Sequence, residues 1–580
     1  MKTLHTLFIY LLVASTLCAQ GNIWSESTST FTQNELKERL HTPDKYRTLA
    51  FNADNFLNTL GSPPSRTADV AVQRTSNIMQ FPMPDGSYQS FYVVDAELMH
   101  PDLAAKYPEL KTYIGKGIND ATADIRITYS PYHGFNGMIK SGRHSTIYID
   151  PLTKDNAQYM VYHRAEVDRI DTGFTCSTPE PELIKFGDSR TKSSVAPLGD
   201  CNLRRYRLAL SCTGEYAQYH IGQAGGSTGN VANDKAIVQS AMNVTMARVN
   251  GVYEKDLGIT LQIIPNNDQV IYLNAASDPW NGEYSTQTAQ TLDAVIGVNN
   301  YDIGHNFNTS GGGSAGCIDC VCLSASQSGT HKGRGYTGLP APVGDPFDID
   351  YVAHEMGHQF GGYHTQSNQS CRSGSGQTEV EPGSASTIMG YAGICAANVQ
   401  NQSNDYFAYV NIRDIVTSIN GGNASSCAQV IASGNAGPTA NAGPDYTIPI
   451  STPFKLEGTG TDPDDAGLTY CWEQNDPENP NSNSAPNSTR TQGPMFRSFV
   501  PTTVPYRYMP RLSEIIANNS PTWEVLPSVS RNMEFSFTVR DNNTNSGCTD
   551  SDLMSVTTTT SAGPFVVNVP SASGIAWAAG

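Results

Sequence analysis

Residues 354–364 read His354-Glu355-Met356-Gly357-His358-Gln359-Phe360-Gly361-Gly362-Tyr363-His364. His354 and His358 stand four apart, so on an α-helix both imidazoles leave one face about one turn from each other and can grip one ion. Asp348 or Asp350 offers an N-cap upstream, and Val352, Ala353 and Met356 supply an apolar surface to bury. Gly361 and Gly362 permit the positive φ that stops a helix and turns the chain, which returns His364 as a third donor. Three imidazoles leave one coordination position free, the property that separates catalytic from structural zinc. Glu355 leaves the helix beside the donor face, where a carboxylate can take a proton from water held at that position. The rival reading is a helix with incidental histidines. With 12 His in 580 residues, the full pattern arises by chance on the order of once in 10,000 such chains. A three-histidine site without chemistry would have no need of Glu355.

The spacing HExxHxxGxxH resembles the zinc signature of the metzincin metallopeptidases, and Ser386-Thr387-Ile388-Met389-Gly390-Tyr391 resembles their Met-turn. The resemblance implies a zinc endopeptidase in which Glu355 is the general base and Met389 forms an apolar floor that does not ligate the ion. From Gln20 through the motif the chain is similar to secreted bacterial reprolysin-like proteases with an M12B-type propeptide, including the stretch from Glu97 to Pro108. Two positions depart from that pattern. Thr365 stands where reprolysins usually carry Asp, and a Tyr two residues after the Met, here Tyr391, is more like astacins and serralysins. In those families this tyrosine is a swinging zinc ligand, so Tyr391 has two roles open: oxyanion stabiliser or plain packing. Gly312, Gly313, Ser314 and Ala315 fall where metzincins place the edge strand that pairs with an extended substrate. By composition alone they read first as a flexible glycine-rich loop. Cys176 is a candidate latency thiol, because a propeptide thiolate can fill the fourth zinc position, although Gly173-Phe174-Thr175-Cys176-Ser177 does not match the usual switch motif.

At 62.5 kDa and 580 residues, the chain is long enough for several folding units at roughly 100 to 200 residues each. Only 16% of residues are charged and the net charge is −18, which argues against nucleic acid or acidic lipid as a partner. Protein or peptide substrates and a monomeric chain are expected. The first 19 residues read as a signal peptide, with Lys2 ahead of the apolar run Leu7 to Ala14 and Ala19 at a plausible cleavage point. No segment is apolar for the roughly 20 residues that span a bilayer, so the protein is expected to be secreted.

An exported chain tends to pair its thiols. Cys471 and Cys548 lie together in the last third, while Cys201, Cys212, Cys317, Cys320, Cys322, Cys371, Cys395 and Cys427 form an even set, which leaves Cys176 alone. Disulfides are favoured over a thiolate metal cluster at Cys317, Cys320 and Cys322. The many Asp residues leave calcium open as a second ion, but no twelve-residue EF-hand spacing supports it.

Composition shifts then divide the chain. Residues 20–195 are the expected propeptide, β-rich because stretches such as Ser87 to Val94 and Ala123 to Tyr129 alternate like half-buried strands. It ends in the polar linker Asp188 to Ser194. Residues 196–434 are the metzincin-type α/β catalytic domain, with a strand near Arg205 to Ser211, a helix from Asn233 to Lys255, a strand from Leu257 to Ile264 and a helix near Ala289 to Ile296. Residues 435–562, rich in Pro, Thr, Asn and Gly, resemble a PKD or immunoglobulin-like β-sandwich with Trp472 in its core and an insertion between Gln474 and Arg531. Residues 563–580 read as the start of a further domain. The fold class is multidomain α+β. The functional alternative is a secreted adhesin that keeps an inactive metzincin fold.

Overall fold

The computed structural model describes residues 23–39, 42–66, 77–167, 173–180, 199–368, 370–371, 378–477 and 485–566, with 568, 574 and 576. The leader 1–19 and the linker Asp188 to Ser194 lie outside them.

Alternation in the first third produces a nine-stranded antiparallel sheet whose strands mostly pair with their sequence neighbours, from Ile78–Pro82 and Tyr88–Asp95 through to Gln158–His163, Arg47–Phe51 and Trp24–Glu26. One face buries Phe56, Phe81, Phe91, Ile125, Phe135 and Tyr159. The other face does not meet solvent, contrary to the expectation of half-buried strands. Lys116, Asp124, Arg126 and Lys140 on that face are all buried.

Part of what covers it is the helix Val231–Leu257. Asn230 starts this helix by accepting from the amides of Ala232 and Asn233, and Gly258, left-handed at φ 64°, ends it. The helix carries apolar residues for the neighbouring parallel strands Leu203–Cys212 and Ile259–Ile263. Its polar residues face the N-terminal sheet, where burial demands partners. Glu254 pairs with Arg66 at 2.7 Å and with Arg126, and Lys255 reaches Asp124 at 2.8 Å. Arg248 bridges Asp150 at 2.6 Å and Asp348 at 2.8 Å. Arg164 likewise holds Asp345 at 2.7 Å and Asp350 at 3.1 Å. Asp348 and Asp350 are therefore not N-caps. They lie inside a π-helical segment, Pro346–Ala353, that runs straight into the α-helix His354–Gln359, and their carboxylates belong to these ion pairs.

The central sheet has seven strands, in the order Thr175–Cys176, Gly312–Ser314, Gly335–Gly338, Ile303–Asn308, Leu203–Cys212 and Ile259–Ile263, with Gln429–Ile431 also paired to Leu203–Cys212. Helix Tyr284–Val295 begins earlier than the expected Ala289 to Ile296 and ends one residue sooner, with Ile296 as its C-cap.

The C-terminal β-rich region forms a four-stranded sheet, Tyr446–Pro449, Thr549–Thr559, Arg531–Arg540 and Thr469–Gln474, beside two small two-stranded sheets. Trp472 is 3% exposed in its core, and Met495, Phe496 and Met509, from the stretch read as an insertion, complete that core. This region is fastened to the rest of the chain. The cysteine arithmetic fails here: Cys548 bonds Cys201 rather than Cys471, and Cys471 and Cys212 are buried free thiols. The other disulfides are Cys317–Cys320, Cys322–Cys427 and Cys371–Cys395.

Arg540 sits deep in the same contact. Its Nε donates to Asp256 at 2.9 Å, a second nitrogen donates to the Phe407 carbonyl at 3.0 Å, and both side chains of the ion pair are 2% exposed. Removing one member of a buried pair strands the other charge. Arg540→Ala is expected to cost about 3–5 kcal/mol in denaturant unfolding, whereas Lys455→Ala, which breaks the solvent-facing pair with Glu457, should leave the midpoint unchanged. Equal midpoints for the two variants would contradict this account.

Candidate active site

The three histidines meet. His354 and His358 leave one face of the helix His354–Gln359, which ends where Gly361 takes φ 105° and lets the chain bring His364 back. The outer nitrogen of each ring faces an oxygen that can only accept. His354 Nδ1 lies 2.7 Å from the Ile388 carbonyl, His358 Nδ1 2.7 Å from the Gly362 carbonyl, and His364 Nδ1 3.0 Å from a Glu180 carboxylate oxygen. Each Nδ1 therefore carries the proton, and each Nε2 is left as a bare lone pair. The three Nε2 atoms stand 3.1, 3.1 and 3.2 Å apart. Three acceptors with no donor repel one another unless a cation lies among them. Nitrogens about 2.0–2.1 Å from one tetrahedral zinc would be about 3.3 Å apart, so the residues present fit that ion.

The fourth member of the cluster is Cys176, whose Sγ lies with the three imidazole donors inside one group no more than 4.8 Å across. It arrives on Thr175–Cys176, which pairs in parallel with Gly312–Ser314, Cys176 opposite Gly313. Gly312 to Ser314 is thus a strand and not a flexible loop. It bonds Gly335–Gly338 on one side and residues 175–177 on the other, where the Ser177 amide donates to the Gly313 carbonyl at 2.8 Å. Gly313 has no room for a side chain: a Cβ there would lie 2.5 Å from Glu355 Oε1 and 2.8 Å from Phe174 Cζ.

Alternate residues of the incoming strand face the site, as period two requires. Phe174 stacks on Tyr351 with centroids 3.6 Å apart, and Thr178 Oγ1 donates to Glu355 Oε2 at 3.0 Å while accepting from the Ala315 amide at 2.8 Å. Glu180, two residues further, accepts from His364 Nδ1 at 3.0 Å and from the His364 backbone amide at 2.9 Å. Sequence reading singled out Cys176 and missed Phe174, Thr178 and Glu180. The signal was available as alternation of an aromatic, a thiol, a hydroxyl and a carboxylate.

Glu355 is fully buried, and besides Thr178 its carboxylate meets the Cys176 thiol and the Ala315 amide. Burial pushes its carboxyl up to about 8. Burial, then the Glu355 carboxylate, pushes the Cys176 thiol well up. A cation held by the imidazoles acts on both in the opposite sense. Tyr391 packs its ring 4.6 Å from that of His364, and its hydroxyl donates to the Cys176 carbonyl at 3.4 Å. Met389 is fully buried beneath the helix, with Sδ 2.5 Å from where a Cβ on Gly357 would stand. A second acidic group, Asp462, Asp464 and Asp465, gathers in the C-terminal region, with Asp464 exposed and its neighbours half-buried.

Residues 203–423 match the family described as metallo-peptidase family M12B, reprolysin-like. That segment holds all three histidines, Glu355, Met389 and Tyr391, and ends well short of the C-terminal β-rich region. No curated protein and no solved structure matches the chain.

Proposed function

We propose that this protein is a secreted zinc-dependent endopeptidase, made as a latent proenzyme, that hydrolyses internal peptide bonds of extracellular proteins. The observation that carries the reading is the convergence of three Nε2 lone pairs at 3.1–3.2 Å beside the buried Glu355. The M12B match over residues 203–423 supports the same class of chemistry. Zinc bound by His354, His358 and His364 supplies a Lewis acid that polarises a carbonyl and acidifies water.

The remaining steps belong to the chain. Glu355 takes a proton from the attacking water on its Oε1 side and returns it to the departing amine. Gly312–Ser314 hydrogen-bonds an extended substrate backbone, which reaches the catalytic carboxylate because Gly313 has no side chain. Tyr391, whose hydroxyl already donates to a main-chain carbonyl beside the histidines, offers the same donor to the oxygen that gains charge.

In the uncleaved chain residues 173–180 hold this machinery silent. Cys176 brings a thiolate to the fourth position, Thr178 occupies Glu355, and backbone bonds to Gly313 fill the edge that a substrate needs. We assign residues 20–195 as the propeptide on this basis and 435–562 as a PKD or immunoglobulin-like sandwich that buttresses the catalytic domain. The leader-like residues 1–19 and the four disulfides suit export to an oxidising compartment. The adhesin alternative leaves Glu355 without a purpose.

Two measurements test the proposal. Purified Glu355→Ala should bind zinc stoichiometrically yet cleave no casein, while uncleaved Cys176→Ala should cleave faster than uncleaved wild type. Activity in the first, or silence in the second beside an active processed enzyme, counts against the catalytic or the latent half respectively.

Release of the N-terminal segment also depends on pH. His133, from the N-terminal sheet, and His220, from the helix Gly214–Gln223, meet across the interface with ring centroids 5.7 Å apart. Burial, then neighbouring Lys37, holds His220 down to about 3 and His133 well below its usual value. Burial also pushes Lys37 down to about 7. All three groups bind protons better once separated, so acid favours release. Asp348, which burial holds up to about 6, opposes them in part. A nicked propeptide should therefore bind on the order of 10- to 100-fold more weakly at pH 5.5 than at pH 7.5, with a shallower slope in His220→Gln. Equal or tighter binding in acid would show the interface histidines to be uncoupled from release.

A further inference from the structure

Glu381 lies one step behind the metal site and is 1% exposed. It makes no ion pair among the described residues. Its charge is met instead by four hydrogen bonds from two separate segments. Oε2 accepts from Thr365 Oγ1 at 2.7 Å and from Thr387 Oγ1 at 2.5 Å, and Oε1 accepts from the Ser386 amide at 3.1 Å and from Ser386 Oγ at 3.0 Å. Both oxygens are saturated, as burial of a carboxylate requires.

The two segments are the ones that shape the zinc site. Thr365 directly follows His364, and its amide donates to the Met389 carbonyl at 3.1 Å. Ser386 and Thr387 open the turn that carries Ile388, whose carbonyl orients His354, and Met389, which packs under Gly357. Backbone bonds continue the link, from the Glu381 amide to the Thr365 carbonyl and from the Ser367 amide to the Glu381 carbonyl, each 3.0 Å. His364 leaves no helix and sits after a glycine turn, so nothing in its own secondary structure fixes it against His354 and His358.

We propose that Glu381 is the positioning residue of this metal centre: its carboxylate ties the His364 segment to the turn bearing Ile388 and Met389, and so sets where the third imidazole stands relative to the other two. Glu381 touches neither metal nor substrate. The inference rests on the zinc reading above, and it goes beyond that reading by assigning a role to a residue outside the motif. Groups that hydrogen-bond a metal ligand directly commonly contribute roughly 10- to 100-fold in metal affinity, and Glu381, which acts through Thr365 and Ser386, has that range as its upper bound.

The test uses full-length wild type, Glu381→Gln, Glu381→Ala and the exchange Thr365→Asp/Glu381→Thr, which moves the carboxylate to the other end of the same contact. Zinc affinity is measured by chelator competition on the folded protein, and the ligand field is read from the visible spectrum of the cobalt-substituted form. The expected result is a zinc affinity weaker by up to roughly 10- to 100-fold in Glu381→Ala, an intermediate loss in Glu381→Gln, an altered cobalt spectrum in both, and recovery in the exchange. If Glu381→Ala does not fold, Glu381→Gln and the exchange decide. Unchanged zinc affinity and cobalt spectrum in the folded variants, even with a lower melting temperature, would make Glu381 a merely structural acid and overturn the inference. A wild type that binds no zinc would instead refute the zinc reading itself.

Discussion

Three neutral imidazoles pointing their lone pairs at one another cannot be held together by their own interactions. The protein must fix each ring from behind, and it does so with oxygens that accept only: the Ile388 and Gly362 carbonyls and the Glu180 carboxylate. Two of those anchors are backbone atoms, so the site is only as well formed as the chain path that presents them. The Gly361 turn presents one and the Met389 turn the other. Gly357 lets that turn approach the helix, and Glu381 ties it to the residue after His364. The third anchor, Glu180, follows the short strand Thr175–Cys176. On the proposed latent reading it leaves with residues 173–180, and the ring it orients would then need another partner.

The N-terminal sheet meets the rest of the chain through an unusual contact. Between the N-terminal sheet and the catalytic region lie Arg66, Arg126, Arg164, Arg248 and Lys255, matched against Asp124, Asp150, Glu254, Asp345, Asp348 and Asp350. Buried ion pairs return little net stability because desolvation consumes most of the Coulomb gain, but they penalise a misplaced partner heavily. Such a contact favours one docking geometry strongly while leaving modest net affinity. That balance suits the proposed role of a segment that seats accurately and later leaves. The C-terminal region is held differently, by the Cys201–Cys548 bond and by Arg540 locked on Asp256, a permanent attachment.

What could be read in the sequence was local. The ligand spacing of His354, His358 and His364 follows from the helix repeat and a glycine stop within eleven residues, and the long helix ending before Gly258 follows from its apolar spacing. What required the fold was long-range. Arg126 and Asp124 looked like the wet side of a strand because their partners, Glu254 and Lys255, lie more than a hundred residues away on a helix that looks amphipathic only when its sheet neighbour is ignored. Cys548 looked like a partner for Cys471 on proximity in the chain, whereas the loop at Gly547 packs on the Lys255 carbonyl and delivers Cys548 to Cys201. Asp348 and Asp350 had the residue type of an N-cap, and burial against Arg248 and Arg164 used them otherwise. Glu381 carried no signal, because its four donors come from positions that only the folded turn brings together.

The central claim is that three imidazoles and, in the uncleaved chain, one thiolate surround a single zinc. X-ray absorption at the zinc edge of the purified uncleaved protein tests it most directly. The account predicts one zinc per chain with three imidazole nitrogens at about 2.0–2.1 Å and one sulfur at about 2.3 Å, and loss of the sulfur once the strand bearing Cys176 has been removed. A first shell without imidazole scattering, or less than one zinc per chain in protein supplied with the metal, would contradict it.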